Sequence, residues 1–163
     1  MYHKRKDGFM DLINSNQINI FIFLIHMSSC LLMTGIIWII QIVHYPSFNF
    51  ICQKQFKNFE IFHTKSISYI VGPIMITELM SGLYFVIFLN NINTLNIINL
   101  ILLVGIWIST ALISVPLHNK LTSNGYNSNN IHSLILTNWI RTILWTIRTA
   151  ISMIIIIQQI NKA

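Results

Sequence analysis

From Ile18 to Val43 the chain runs for 26 residues without an Asp, Glu, Lys or Arg. A helix rising 1.5 Å per residue over that length exceeds the ~30 Å hydrocarbon core of a bilayer. The stretch therefore reads as a membrane span. It is longer than the roughly 7 to 15 residues of a signal-peptide core and no small-x-small cleavage site follows, so it is expected to stay in the mature protein. The rest of the chain agrees: 54% of its 163 residues are hydrophobic and 9% charged, with a mean hydropathy of +0.65, whereas a globular domain carries about 25% charged residues. A water-soluble surface cannot be built from so few charges.

Three more apolar segments follow. With the first they define an all-α fold, a four-transmembrane-helix up-down-up-down bundle with a short interfacial amphipathic segment before the second span. The spans are expected at about 18–43, 67–89, 95–115 and 134–157, forming one membrane domain over 18–159 behind a polar N-terminal tail at 1–17. His44, Tyr45 and Pro46 are expected to end the first helix, because a proline removes a backbone donor and biases the preceding residue away from helix. Gln53 to Glu60, with Phe56 and Phe59 among Lys54, Lys57 and Glu60, reads as a helix in the headgroup layer running into the second span. Gly72-Pro73 predicts a kink, and Asn90 to Asn93 a tight turn. The third span is expected to stop at Pro116, before a polar loop from His118 to Asn130. Small and hydroxyl residues on that span, Gly105, Ser109, Thr110 and Ser114, permit close helix approach. The fourth helix starts near Ile131 and extends towards Gln159.

Ten Lys and Arg against four acids give a formal charge of +6 and a pI near 9.6. These bases are scattered rather than gathered into a nucleic-acid-binding patch. The adjacent trio Lys4, Arg5 and Lys6 precedes the first span, which favours both termini in the cytoplasm and a multi-pass protein of the bacterial cytoplasmic membrane. Cys30 and Cys52 have no pairing motif.

In such a bundle the end of helix 1, the start of helix 2, the end of helix 3 and the start of helix 4 share one membrane face. His44, His63, His118 and His132 stand at those four places. Imidazole suits zinc, copper, iron or nickel, so His44, His63 and His118 form a candidate metal or haem site. Interfacial histidines resting at the headgroups are the plainer reading, above all for His132. His26, towards the opposite face, reads as a packing or hydrogen-bonding residue.

Ionisable side chains inside the spans are costly, roughly 2.5 to 3.5 kcal/mol at the bilayer centre on insertion scales, and call for compensation. Glu78, Arg141 and Arg148 are such residues, with the acid at a depth between the two bases. An intramembrane Glu78–Arg ion pair is expected. Asn138, Arg141, Trp145 and Arg148 recur at spacings of 3, 4 and 3 and share one helix face, which must look into the bundle.

These residues form a pattern: Gln41-x-x-His44-Tyr45-Pro46, Phe62-His63, Pro73 with Glu78, Val115-Pro116-Leu117-His118-Asn119-x-Leu121, and Thr137-Asn138-Trp139-x-Arg141-Thr142-x-x-Trp145-x-x-Arg148. The pattern resembles a group of uncharacterised bacterial four-span membrane proteins. Its P-L-H-N-x-L and N-W-x-R-T elements are also distantly similar to the anthrone-oxygenase-like family. That resemblance implies a compact bundle whose polar interior, at His118, Asn119, Asn138 and Arg141, binds a small, partly apolar substrate. Members of that family often have a second histidine shortly after the position of His63, where this chain has Ser66 and Ile67.

Two function classes follow. The first is a membrane enzyme, redox or oxygenase-like, acting on a small lipid-soluble molecule. Its catalytic candidates are His118, Asn138 and Arg141, its substrate-binding candidates Glu78, Trp139, Trp145 and Arg148, and its metal or haem ligands His44, His63 and His118. The second is a non-catalytic accessory or assembly subunit, in a homo-oligomer or larger membrane complex, whose buried polar groups fix helix register. Transport is disfavoured, because four short helices enclose little volume and no inverted repeat is present.

Overall fold

The structure, a computed structural model, describes residues 2–87 and 94–160, with side chains at 17–87 and 94–158. The expected turn at Asn90 to Asn93 lies outside the described residues. Four long helices follow one another. Helix α1, Tyr2–Ile39, is prolonged by a π-helical turn at Ile40–His44 and short helical pieces to Phe50. Helix α2 is Gln53–Ile87, α3 is Thr94–Asn124 with a π-helical turn at Thr110–Ser114, and α4 is Ser128–Ile160. All four are long and apolar enough to cross a membrane, and the protein is a multi-pass integral membrane protein.

Each helix packs against its two neighbours in a square, α1 on α2 and α4, and α3 on α2 and α4. The polarity is inverted relative to a soluble bundle. Ile20, Phe21, Leu24, Ile39, Tyr69 and Leu112 lie exposed on the outside, while Glu60, Glu78, Asn138 and Arg148 are fully buried. Water would not support that surface; lipid does.

Two boundaries differ from expectation, each for a reason at the backbone. Helix α1 does not stop at His44-Tyr45-Pro46. The ring of Pro46 would clash with the carbonyl four residues back in an α-turn. The preceding turn widens instead, and the Tyr45 N–H bonds the carbonyl of Ile40, five residues back. The same device carries α3 through Pro116, with the Val115 N–H on the carbonyl of Thr110. The loop expected from His118 to Asn130 is therefore helix up to Asn124. Gly125, at φ 77°, makes the turn, and Asn127 Oδ1 caps the first turn of α4 through the Asn130 N–H at 2.9 Å. Gln53 to Glu60 runs straight into the second span, as expected, and forms the start of α2, which continues unbroken through Pro73.

Candidate active site

Four turns of sequence converge at the end of the bundle where α1 and α3 end and α2 and α4 begin. Each π-helical turn inserts one residue into its helix, and such bulges recur at functional sites. Here they set Gln41, His44 and Tyr45 on α1 and Ser114 and His118 on α3 towards the interior. From α2 the stripe Phe56, Glu60 and His63, at spacings of 4 and 3, faces the same point, and all three are buried.

A continuous hydrogen-bonded chain links these elements across the α1–α3 diagonal. Glu60 Oε1 lies 2.5 Å from His118 Nδ1. His118 Nε2 is 3.0 Å from the Tyr45 hydroxyl. Arg141 Nη2 donates to that hydroxyl oxygen at 3.2 Å and also to Asn138 Oδ1. Asn138 Nδ2 donates to Gln41 Oε1 at 2.8 Å, and Gln41 Nε2 to the carbonyl of Ile135 at 3.2 Å. A guanidinium only donates, so the Tyr45 oxygen accepts from Arg141; with Glu60 a carboxylate and His118 a neutral imidazole, Glu60 accepts from Nδ1–H and Nε2 accepts from the Tyr45 hydroxyl.

The chain forms one wall of a cavity of about 370 Å3, lined by Tyr45, His118, Asn119, Arg141, Trp107 and Trp145 among apolar residues of α1, α2 and α3. That volume falls within the range of small-molecule sites, about 300 to 1,000 Å3, which characteristically combine apolar walls with a few convergent polar groups.

His44 and His63 stand beside the chain rather than in it. His44 Nε2 is 2.8 Å from His63 Nδ1, and the His63 and His118 rings lie 5.4 Å apart between centroids. Phe48 and Phe59 pack edge-on and stacked against them. The three imidazoles expected to ligate a metal or haem are thus brought together. Yet both ring nitrogens of His118 face Tyr45 and Glu60, and one nitrogen each of His44 and His63 faces the other ring. Among the described residues no group of three His, Cys, Asp or Glu side chains is arranged to hold a metal ion. His132 is exposed and apart from the cluster.

A second polar layer lies deeper and crosses the other diagonal, α2 to α4. Arg148 Nη1 is 3.2 Å from Glu78 Oε2, which also accepts from Trp145 Nε1 at 3.1 Å. Arg148 Nε donates to Asn99 Oδ1 at 2.9 Å, and Asn99 Nδ2 to Ser152 Oγ at 2.9 Å. The expected intramembrane ion pair is present, with Arg148 rather than Arg141 as the partner. Below it His26 Nδ1 is 2.7 Å from Ser81 Oγ.

The substrate-binding candidates therefore divide. Trp145 lines the cavity; Glu78 and Arg148 lie beneath it and bind each other. Trp139 is a correction: it sits one residue off the inward face of α4, about 100° round the helix, and packs edge-on against Trp38 on the outside. Three members of the hydrogen-bonded chain, Gln41, Tyr45 and Glu60, are not candidates on sequence alone. Tyr45 reads as part of a helix stop, and Glu60 as part of an amphipathic segment in the headgroup layer. Its position four residues after Phe56 and three before His63 is the signal that places it on the buried stripe.

Compared with protein-family models, with curated proteins and with solved structures, the chain finds no match.

Proposed function

We propose that this protein is a membrane-embedded enzyme that binds a small, partly apolar molecule with an acidic hydroxyl, a phenol or an enol, and removes its proton within the bundle. One observation carries this reading: the hydrogen-bonded Glu60–His118–Tyr45–Arg141 chain on the wall of a cavity of ligand size. Tyr45 passes its proton to His118 Nε2. The imidazolium so formed is stabilised by the Glu60 carboxylate, and the tyrosinate by the Arg141 guanidinium. The tyrosinate then takes the proton of a substrate hydroxyl, and Arg141 remains beside the new substrate oxyanion. This is general base catalysis with a carboxylate-oriented imidazole, the logic of a hydrolase triad with a phenol as the terminal group. Asn138 and Gln41 hold the guanidinium in place.

Deprotonation is the opening step of oxidising a phenol or enol, so this reading accommodates the oxygenase-like chemistry that the sequence resemblance implies. The bacterial cytoplasmic membrane, with both termini in the cytoplasm, is the proposed location.

The test uses 4-nitrophenol, whose ionised form is coloured. Titrated into the detergent-purified protein at a pH where the free phenol is mostly neutral, it is expected to bind as the coloured phenolate. Tyr45→Phe and His118→Gln should bind it colourless or not at all. Colourless binding to the wild type, or colour that persists in both variants, would overturn the reading.

A second reading, a structural role for polar groups, is favoured at the deeper layer alone. There the Glu78–Arg148 pair meets no large cavity, and Glu78 Oε2 and Arg148 Nε reach partners on other helices.

A further inference from the structure

A second cavity, of about 310 Å3, lies on the α1–α2 side of the bundle, lined by Ile36, Ile39, Ile40, His44, Phe59, Phe62, His63, Ser66, Ile67 and Ile70. It opens on the apolar outer surface, where Ile39, Phe62 and Ile70 are exposed. Two residues, Ile40 and Ile67, wall both this groove and the inner cavity that holds Tyr45 and Arg141. That pair of side chains separates the groove from the proposed reaction chamber. His63 lines the groove, is 5% exposed, and its Nε2 is buried without a partner. A buried polar atom left unpaired costs about 1 to 3 kcal/mol, a cost that a ligand bringing a polar atom into this groove would offset.

Building on the function proposed above, we infer that the substrate is an amphiphile reaching the site sideways from the bilayer: its acidic head sits in the inner cavity at Tyr45 and Arg141, and its apolar tail lies past Ile40 and Ile67 in the α1–α2 groove. A polar atom near the junction of head and tail, an ether or carbonyl oxygen or a second hydroxyl, partners His63 Nε2. The geometry favours such a ligand over a wholly compact one for two reasons. The groove is almost entirely apolar, with no charged side chain in its lining. The buried polar atom without a partner in its lining, His63 Nε2, stands beside the catalytic rings rather than at the outer rim. A tail drawn from the acyl layer into an apolar groove loses no hydrophobic contact, so the head can be delivered without a passage through water.

The experiment uses 4-nitrophenol and an analogue bearing at C2 a decyl chain that ends in a diazirine. Colour reports the head, and the photolabelled peptide reports the tail. With the wild-type protein in lipid vesicles, both phenols should bind as the phenolate, and irradiation should label α2 between Phe62 and Ile70 or α1 at Ile36 and Ile39. In Ser66→Trp, which fills the groove, labelling of those residues should fall at least tenfold while 4-nitrophenol still binds coloured, which also shows that the variant is folded. Label spread evenly over lipid-facing residues of all four helices, or unchanged in Ser66→Trp, would overturn the inference and leave the proton-transfer reading standing. Absence of colour with both phenols would overturn that reading and this inference with it.

Discussion

A carboxylate behind an imidazole does two separable things: it fixes the tautomer and it stabilises the imidazolium. Glu60 is placed for both, since its Oε1 faces His118 Nδ1 and the residue is fully buried. Glu60→Gln separates them. The amide oxygen can still accept from Nδ1–H, so the tautomer and the fold should survive, but the negative charge is gone. Losing a hydrogen bond to a charged partner costs roughly 1.5 to 3 kcal/mol, which corresponds to about a 10- to 150-fold loss in affinity for the coloured form of 4-nitrophenol. Thermal unfolding in detergent should shift by only a few degrees, and a variant that binds the phenolate as tightly as wild type would remove Glu60 from the proton chain. The same residue shows how far the sequence could be read. Lys54, Lys57 and Glu60 at spacings of three suggest one charged face, and two of them are indeed exposed. Glu60 departs because it shares a stripe with Phe56 and His63, and His118 supplies a partner 58 positions away. No local pattern contains that partner. Asn138, Arg141, Trp145 and Arg148 were legible as one face because their spacing is intrinsic to a single helix, whereas their division into an upper chain and a lower pair depends on which other helix each one meets.

At the scale of the helices, the two polar layers act as cross-braces. Neighbouring helices are joined by apolar packing and a few hydrogen bonds along the sides of the square, such as Gln41 to Asn138 and His26 to Ser81, but apolar side chains alone tolerate sliding by a turn. Tyr45 to His118 ties α1 to α3, and Glu78 to Arg148 ties α2 to α4, so each diagonal is pinned at one depth. The ion pair is the part whose energetics can be isolated. Arg148→Met leaves Glu78 buried beside Trp145 without its counter-charge, and Glu78→Gln leaves the guanidinium in the same position. Removing one partner of a buried pair costs about 3 to 5 kcal/mol, while replacing both often costs little. Each single variant should therefore lower stability by that order, measured by unfolding in mixed micelles, and the double variant Glu78→Gln with Arg148→Met should recover more than half of the summed loss. Simple additivity in the double variant would show that the two side chains do not stabilise each other. Proline explains why the helix ends were misjudged. Pro46 and Pro116 read as stops, and in water such a site usually is one. Within a bundle the freed backbone groups have no solvent to turn to, so widening the preceding turn and continuing the helix satisfies more of them.

For the whole molecule, the chemistry lies towards one end, and which side of the membrane that end faces decides where the reaction takes place. Sequence charge leaves this nearly balanced: Lys4, Arg5 and Lys6 lie at the N-terminal end of α1, while Lys54, Lys57, Lys65 and Lys120 cluster at the histidine end. Two facts about the fold make the question answerable with the natural chain. The chain has two cysteines; Cys52, between α1 and α2 at the histidine end, is exposed, and Cys30, inside α1, is fully buried against Thr149 with its Sγ 3.3 Å from Oγ1. A membrane-impermeant maleimide should therefore react at Cys52 alone. With the N-terminus in the cytoplasm, helix α1 delivers Cys52 to the outer side, and intact cells should be labelled to the same extent as permeabilised ones, with Cys52→Ser abolishing the signal. Labelling that requires permeabilisation would place the histidine end inside and the N-terminus outside. The outcome also bears on the proton chain. Glu60, His118 and Tyr45 lie only a few residues from the end of the bundle, so the proton taken from substrate has a short route to the water on that side and a route of most of the membrane's thickness, blocked by Trp145 and the Glu78–Arg148 pair, to the other. An outward-facing Cys52 thus implies that the proton held at His118 exchanges with water outside the cell membrane, and binding of 4-nitrophenol as the coloured phenolate in intact cells should follow the external pH, with no coloured binding in Tyr45→Phe.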